Sequence, residues 1–463
     1  MSKAKIFYFT LQDEQTKEEK LDWFERTRFE HIPFDNITPD QKANWINLTN
    51  NDFDSFLPLI DKEVKIGKSQ EAIFQLFSAA VKTQRDEWVY DFSKDALIER
   101  MSYFADTYQE RLENNVVREL DIKWDRELDN HLKRSVIKKF DSLSIVSALY
   151  RPFVSMSFYF DKHFNGVTYQ LPSLFPASQD KNFVICCTDA GSQKPFMTIA
   201  SNKIPDIHVV GAACSAQCLP LYRYDENGNR IDNITNWGLT QFQTHYNAPT
   251  ITKEAIFHYT YAVLHHPAYR TKYELNLKRE FPRLPFYADF HQWATWGKAL
   301  MDLHLNYETI EPYGLRRVDI ATTRRKGGSS QTIDDQPTLF EQDPPLQNPS
   351  DTTKPIKRTT PKAKLKADKT EGKIILDTET TLEGIPAVAW DYKLGNRSAL
   401  EWILDQYKEK KPKDPTIAKL FNTYRFADYK EHVIDLLQRV CTVSVRTMEI
   451  IQQMPDTVEH KGG

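Results

Sequence analysis

Glycine is scarce in this chain: 15 in 463 residues, with Gly67 standing alone before Gly166. A site that cradles a nucleotide on backbone amides needs glycine-rich turns, so the pattern excludes such loops. Cysteine is scarcer still. There are five, two of them adjacent at Cys186 and Cys187, which excludes a secreted disulfide framework and predicts reduced, buried thiols. No apolar run approaches the roughly 20 residues that cross a bilayer, and the N-terminal MSKAKIFYFTLQDEQ has no apolar signal core. The expectation is a cytoplasmic protein without membrane contact. An excess of charge of one sign is also missing. With a net charge of −3, the overall electrostatics do not draw the chain to nucleic acid, and any such contact has to come from a local face.

What is present is core material: 40% of the residues are hydrophobic and 12% aromatic, enough for two to three domains. AKIFYFTL at 4 to 11 suits a buried strand, a helix is expected from Thr16 to Thr27, and FEHIPF at 29 to 34 would be the next strand. A helix follows Ser93 as N-cap, with Leu97, Met101, Phe104, Tyr108 and Leu112 on one face. A second, more basic helix is expected at 126 to 140. FVSMSFYF, NFVICCT, PFMTIAS and DIHVVGAA read as strands, and Asn227-Gly228 in YRYDENGNRI as a hairpin turn. The helical period returns from about Asn236 to Glu308, where Phe290, Trp293, Gly297, Leu300 and His304 share a stripe. Residues 319–372 carry almost no aliphatic content and are expected to form a disordered linker or insertion. KIILDT and PAVAWDYKLG then read as strands, and Ser398 with Glu401 supplies a capping box for SALEWILDQYKEK.

Several chemical motifs dissolve on inspection. Gly67-Lys68-Ser69 resembles the end of a phosphate-binding loop, but Lys62 occupies the position where the loop needs another glycine. Asp343-Pro344-Pro345-Leu346 approaches an amino-methyltransferase signature, yet Leu346 cannot stack on a base. Asp40, Glu63 and Lys65 imitate a Mg²⁺ nuclease site, with two carboxylates for metal and a lysine for water. Against it, 61 to 65 is an ordinary alternating-charge run. Cys214, Cys218, Cys186 and Cys187 could supply a zinc site, but adjacent strand residues point to opposite faces, which favours packing cysteines. The candidates for contact with DNA phosphates are Lys82, Arg85, Arg134, Lys138, Lys139, Arg151, Lys278, Arg279, Arg283, Arg316 and Arg317. His265, His266 and His304 read as core or rim residues.

VKTQRDEWVYDF at 81 to 92, SALYRPF at 147 to 153, HLNYE at 304 to 308 and WDYKLGNRSALEWILDQY at 390 to 407 together resemble the C-terminal portion of Type ISP restriction-modification enzymes. In that family one polypeptide carries a nuclease, an ATPase motor, an adenine-N6 methyltransferase and a target recognition domain. The resemblance implies an α+β chain: 1–65, last strands of an α/β methyltransferase sheet; 66–318, a mixed α/β target recognition domain; 319–372, the linker; 373–463, its mainly helical C-terminal part. It implies recognition of double-stranded DNA, with Lys82, Arg85 and Arg151 the preferred contacts. No catalytic, metal or cofactor residue is expected in this chain. S-adenosylmethionine, ATP and Mg²⁺ would belong to separately encoded methyltransferase and helicase-nuclease domains, or the chain would be a remnant of a complete enzyme. The competing readings are the Mg²⁺ nuclease and a scaffold without DNA affinity.

Overall fold

Every residue of the strand Val184–Thr188 is buried, and its alternation shows how the molecule is built. Val184 and Cys186 enter one hydrophobic core, while Ile185 and Cys187 enter another. Successive strand side chains point to opposite faces, so a strand walled by two cores must be apolar without interruption. FVICC within NFVICCT is such a run, with the polar Asn182 and Thr188 at its ends. The structure, a computed structural model, describes residues 4–12, 15–39, 45, 51–176, 182–211, 214–320 and 360–455.

The dividing sheet has the order Ser78–Ala79, Ala216–Pro220, Val184–Thr188, Thr198–Ser201, antiparallel throughout, with Cys186 opposite Cys218. On one side lie the helices Lys253–His265 and Phe290–Leu305, joined by Phe53, Phe74 and Tyr273. Gly297 lets these helices touch, because a Cβ there would stand 1.7 Å from the His258 carbonyl oxygen. On the other side a second four-stranded sheet, Ile204–Pro205, Ile145–Arg151, Val154–Tyr159, Tyr90–Asp91, packs on the Lys94–Asn114 helix through Phe104 and Tyr108. The same core takes in Trp390, Trp402 and Leu437 of the C-terminal part, including the long helix Phe426–Ile451. A third sheet orders Arg316–Asp319, Thr380–Glu383, Lys373–Asp377 and Ala363–Asp368.

Local chemistry sets the ends as expected at Ser93, whose side chain accepts from Ala96 N, and at Ser398 and Glu401, which form a complete capping box. Elsewhere the elements differ. FEHIPF is a 3₁₀ turn, Phe29–His31, because Pro33 offers no ladder donor; the strand comes later, at Asp35–Ile37, antiparallel to Ile6–Tyr8. The basic helix stops at Lys133, with Ser135 left-handed at φ +53°. In DIHVVGAA the described residues 206–211 form turns begun by Asp206, whose carboxylate accepts from His208 N at 2.9 Å, and the last two alanines lie outside the described residues. This side-chain turn diverts the run from a strand. In PAVAWDYKLG a short helix, Val388–Asp391, takes the first part, and the strand is confined to Lys393–Leu394, paired with Arg397–Ser398. Of the expected linker, 321–359 lies outside the described residues, but Ala363–Asp368 is an edge strand. The border at 65 is crossed as well: Leu57–Pro58 pairs with Arg283–Leu284, which seats Phe53 and Leu59 in the second core.

Candidate nucleic-acid interface

The KTQRDEW turn is fastened from within. Thr83 donates to Asp86, and the Arg85 side chain is fully buried, paired with Asp125 and donating to the Phe164 carbonyl at 3.2 Å. Asp125 also caps the Arg126–Lys133 helix. Burial pulls the Arg85 guanidinium down from its ordinary value, against the opposing effect of Asp125. Arg85 therefore ties a turn to a helix end and faces no solvent. Arg151 lies over the Tyr150 ring at 3.8 Å and pairs with Asp206 at 2.6 Å. Burial pushes the Asp206 carboxyl up to about 6, against the pull of Arg151. Both arginines stand inside the framework, and their preference as phosphate contacts came from their motifs alone.

Other candidates are engaged at the surface. Lys278 pairs with Glu274 at 3.0 Å. Arg283 meets Glu280 at 3.6 Å and the carbonyls of Asp54 and Phe56 at 3.4 Å. Arg316 pairs with Glu383, and Arg317 lies between Asp319 and Glu431, both at 2.7 Å. Arg279 is exposed at the end of its helix.

Lys82, Arg134 and Lys139 are exposed, and contacts fix some of their neighbours. Lys123 donates to the Gln84 carbonyl at 2.6 Å, beside Lys82. His131, near Arg134, stands 5.1 Å from His163. Lys138 pairs at 2.7 Å with Asp161, which also faces His163. Lys123 is thus tied to the KTQRDEW turn and Lys138 to the Asp161–His163 segment that the Arg126–Lys133 helix meets through His131.

Two further basic features escaped the sequence reading. The sequence pattern carries the helix SALEWILDQYKEK through Lys410, but the helix ends at Gln406 and leaves Lys408, Lys410, Lys411 and Lys413 of KEKKPK exposed; four lysines in six residues were the signal. Lys362, Lys364 and Lys366, all exposed, alternate with inward residues along the edge strand. That period of two in KAKLKAD was legible but lay inside the supposed linker.

The nuclease geometry finds no support. Glu63 and Lys65 sit on the short helix Lys62–Lys65, where Lys65 covers the Phe77 ring at 4.4 Å and burial lowers its pKa. Asp40 lies outside the described residues, as does the Asp343 to Leu346 motif. Among the described residues no group of three or more His, Cys, Asp or Glu could hold a metal ion. The five cysteines are free and buried, with the Cys186 and Cys218 sulfurs 4.0 Å apart across the sheet. Among the described residues no helix is long and apolar enough to cross a membrane.

The architecture is an α+β body in which Arg85 and Arg151 brace the interior. Residues 72–436 match the Type ISP C-terminal specificity domain, and the chain belongs to that family. Its fold is similar to that of three solved structures. A DrdV–DNA complex solved by cryoEM is 43% identical with a TM-score of 0.80, over 98% of this chain and 44% of that one. A nuclease-deletion mutant of the Type ISP restriction-modification enzyme LlaGI, in complex with a DNA substrate mimic, is 27% identical with a TM-score of 0.70, over 97% and 39%. The ATP-dependent Type ISP enzyme LlaBIII bound to DNA is 26% identical with a TM-score of 0.69, over 91% and 26%. The chain spans less than half the length of each of these. No curated protein matches significantly.

Proposed function

We propose that this chain is the sequence-reading part of a Type ISP-like restriction-modification system. It would hold double-stranded DNA for adenine-N6 methylation and ATP-dependent restriction by domains outside these residues. One observation carries the reading: the family match runs from 72 to 436, and both flanks of 321–359 fold onto one core. Lys82, Lys123, Arg134, Lys138 and Lys139 would position the phosphates, while base edges are read in the major groove.

S-adenosylmethionine, ATP and Mg²⁺ would be bound by the methyltransferase and helicase-nuclease parts, which is also where we place catalysis. Residues 4–39 we take as the end of the methyltransferase sheet. Supporting this, no residue of the Lys17–Arg26 helix is buried, and Phe7, Phe24 and Phe29 are 59%, 56% and 74% exposed, an apolar surface suited to a neighbouring domain. A cytoplasmic location follows from the DNA-directed role.

The test is duplex binding by the purified chain across a salt series. The expected result is an affinity that falls linearly on a log-log plot as phosphate contacts release counterions. Absence of duplex binding at low salt would remove the proposal, and DNA cleavage by the chain with Mg²⁺, abolished in Glu63→Ala, would replace it.

A further inference from the structure

A cleft of about 270 Å³ opens between the second sheet and the loop after the Ala399–Gln406 helix. Tyr90, Phe92, Tyr150, Phe421 and Tyr424 line it. All but Tyr90 are half-buried, and two of the rings already hold a neighbour, Arg151 lying 3.8 Å from the Tyr150 ring centre and Tyr429 stacking on Tyr424 at 5.2 Å. Phe421 ends the π-helical stretch Ile417–Phe421, a rare geometry that occurs frequently at functional sites.

The carboxylates in the cleft are already engaged. Asp86 accepts from the Thr83 and Tyr150 hydroxyls, Glu87 accepts from the backbone of Lys413 and Asp414, and Asp91 pairs with Arg100 at 2.9 Å. The mouth is cationic. Lys408, Lys410 and Lys411 line it, and Asp405 is shared by Lys408, Lys410 and Arg397 at 4.0, 3.8 and 2.9 Å. Glu409, lying between the lysines in sequence, turns away to accept from Phe426 N at 2.9 Å. Asn422 is exposed at the rim.

Aromatic walls behind an ammonium-lined mouth match a nucleotide, whose base stacks on rings while its phosphate meets the cations. We propose that this cleft takes one unstacked nucleotide, its base against Tyr150 and Tyr424 and its phosphate on Lys408, Lys410 and Lys411. The inference rests on the DNA-reading function above and adds to it a place for a nucleotide that has left the helix.

The purified chain is titrated with a fully paired duplex and with the same duplex carrying unpaired thymidines at its centre. The wild type binds the looped DNA about fivefold or more tightly, and Asn422→Trp, whose indole fills the opening from an exposed position, removes that advantage while leaving paired-duplex affinity within about twofold. Lys408→Glu/Lys410→Glu/Lys411→Glu removes it too. A 5-iodouracil in the loop crosslinks to Tyr150 or Tyr424. Displacement of looped DNA by dTMP in the wild type but not in Asn422→Trp also supports the cleft and makes free nucleotide a second source. Equal binding of both DNAs by the wild type, an advantage that survives Asn422→Trp, or crosslinks confined to residues outside the cleft would overturn it, with paired-duplex binding intact. Failure of the wild type to bind the paired duplex would instead overturn the underlying function.

Discussion

The indole Nε1 of Trp88 donates to the Asp414 carboxylate at 2.8 Å across 326 residues of sequence. Asp414 also accepts from Thr416 N at 2.9 Å and Ile417 N at 3.2 Å, so one carboxylate starts the π-helical stretch and locks it to the KTQRDEW turn. The halves of the chain on either side of 321–359 are joined here. Asp414→Ala loses a buried indole partner and a cap, and is expected to destabilise by roughly 2–3 kcal/mol. Urea unfolding followed by tryptophan fluorescence measures this; a midpoint equal to wild type would contradict it.

Arg85 and Lys82 are three residues apart and predict opposite results. Arg85→Ala leaves Asp125 without its buried partner and is expected to cost roughly 3–5 kcal/mol of stability. Lys82→Ala leaves stability within about 0.5 kcal/mol but lowers the salt slope of duplex binding by about 1. Denaturation and binding curves on the two variants separate a brace from a phosphate contact.

Gly297→Ala drives a methyl into the His258 carbonyl. The helices Lys253–His265 and Phe290–Leu305 must part, at an expected cost of about 3 kcal/mol, the upper range for overpacking. Thermal unfolding of Gly297→Ala against Gly314→Ala, where a Cβ meets nothing within 4 Å, isolates the effect.

His304 faces the Tyr261 hydroxyl at 2.6 Å and the Thr447 hydroxyl at 2.9 Å. Burial, with Arg270 nearby, lowers its pKa from 6.5 to about 3. The unfolded chain therefore takes up a proton near pH 6.5 that the folded chain refuses until far lower. Its contribution is present above pH 6.5 and lost as pH falls, by about 2 kcal/mol between pH 7 and 5. His304→Gln should shrink the stability difference between those pH values by that amount, as read by urea unfolding; an unchanged difference would refute the linkage.

What the sequence revealed and what it hid divide along physical lines. The stripe from Phe290 to His304 and the caps at Ser93 and Ser398 are local signals, and they appear as read. VICCT was legible as a strand, but the two cores it separates depend on long-range packing. DIHVVGAA and PAVAWDYKLG carry apolar runs that suit strands, while turn chemistry at Asp206 and tertiary packing of Trp390 decide otherwise. The roles of Arg85 and Arg151 turn on Asp125 and Asp206, distant in sequence. No local pattern distinguishes an arginine that meets a phosphate from one that meets a buried carboxylate. The lysines at 408 to 413 and 362 to 366 were visible as patterns, and only the fold brings them to the rim.

The central claim, that this chain reads DNA sequence, is tested most directly by selecting tight binders from a pool of duplexes randomised at their centre, using the purified chain at near-physiological salt. The account predicts enrichment of one sequence over random duplex by a factor on the order of 10³ or more. A pool that stays random after repeated selection, whether through uniform binding or none, would contradict it.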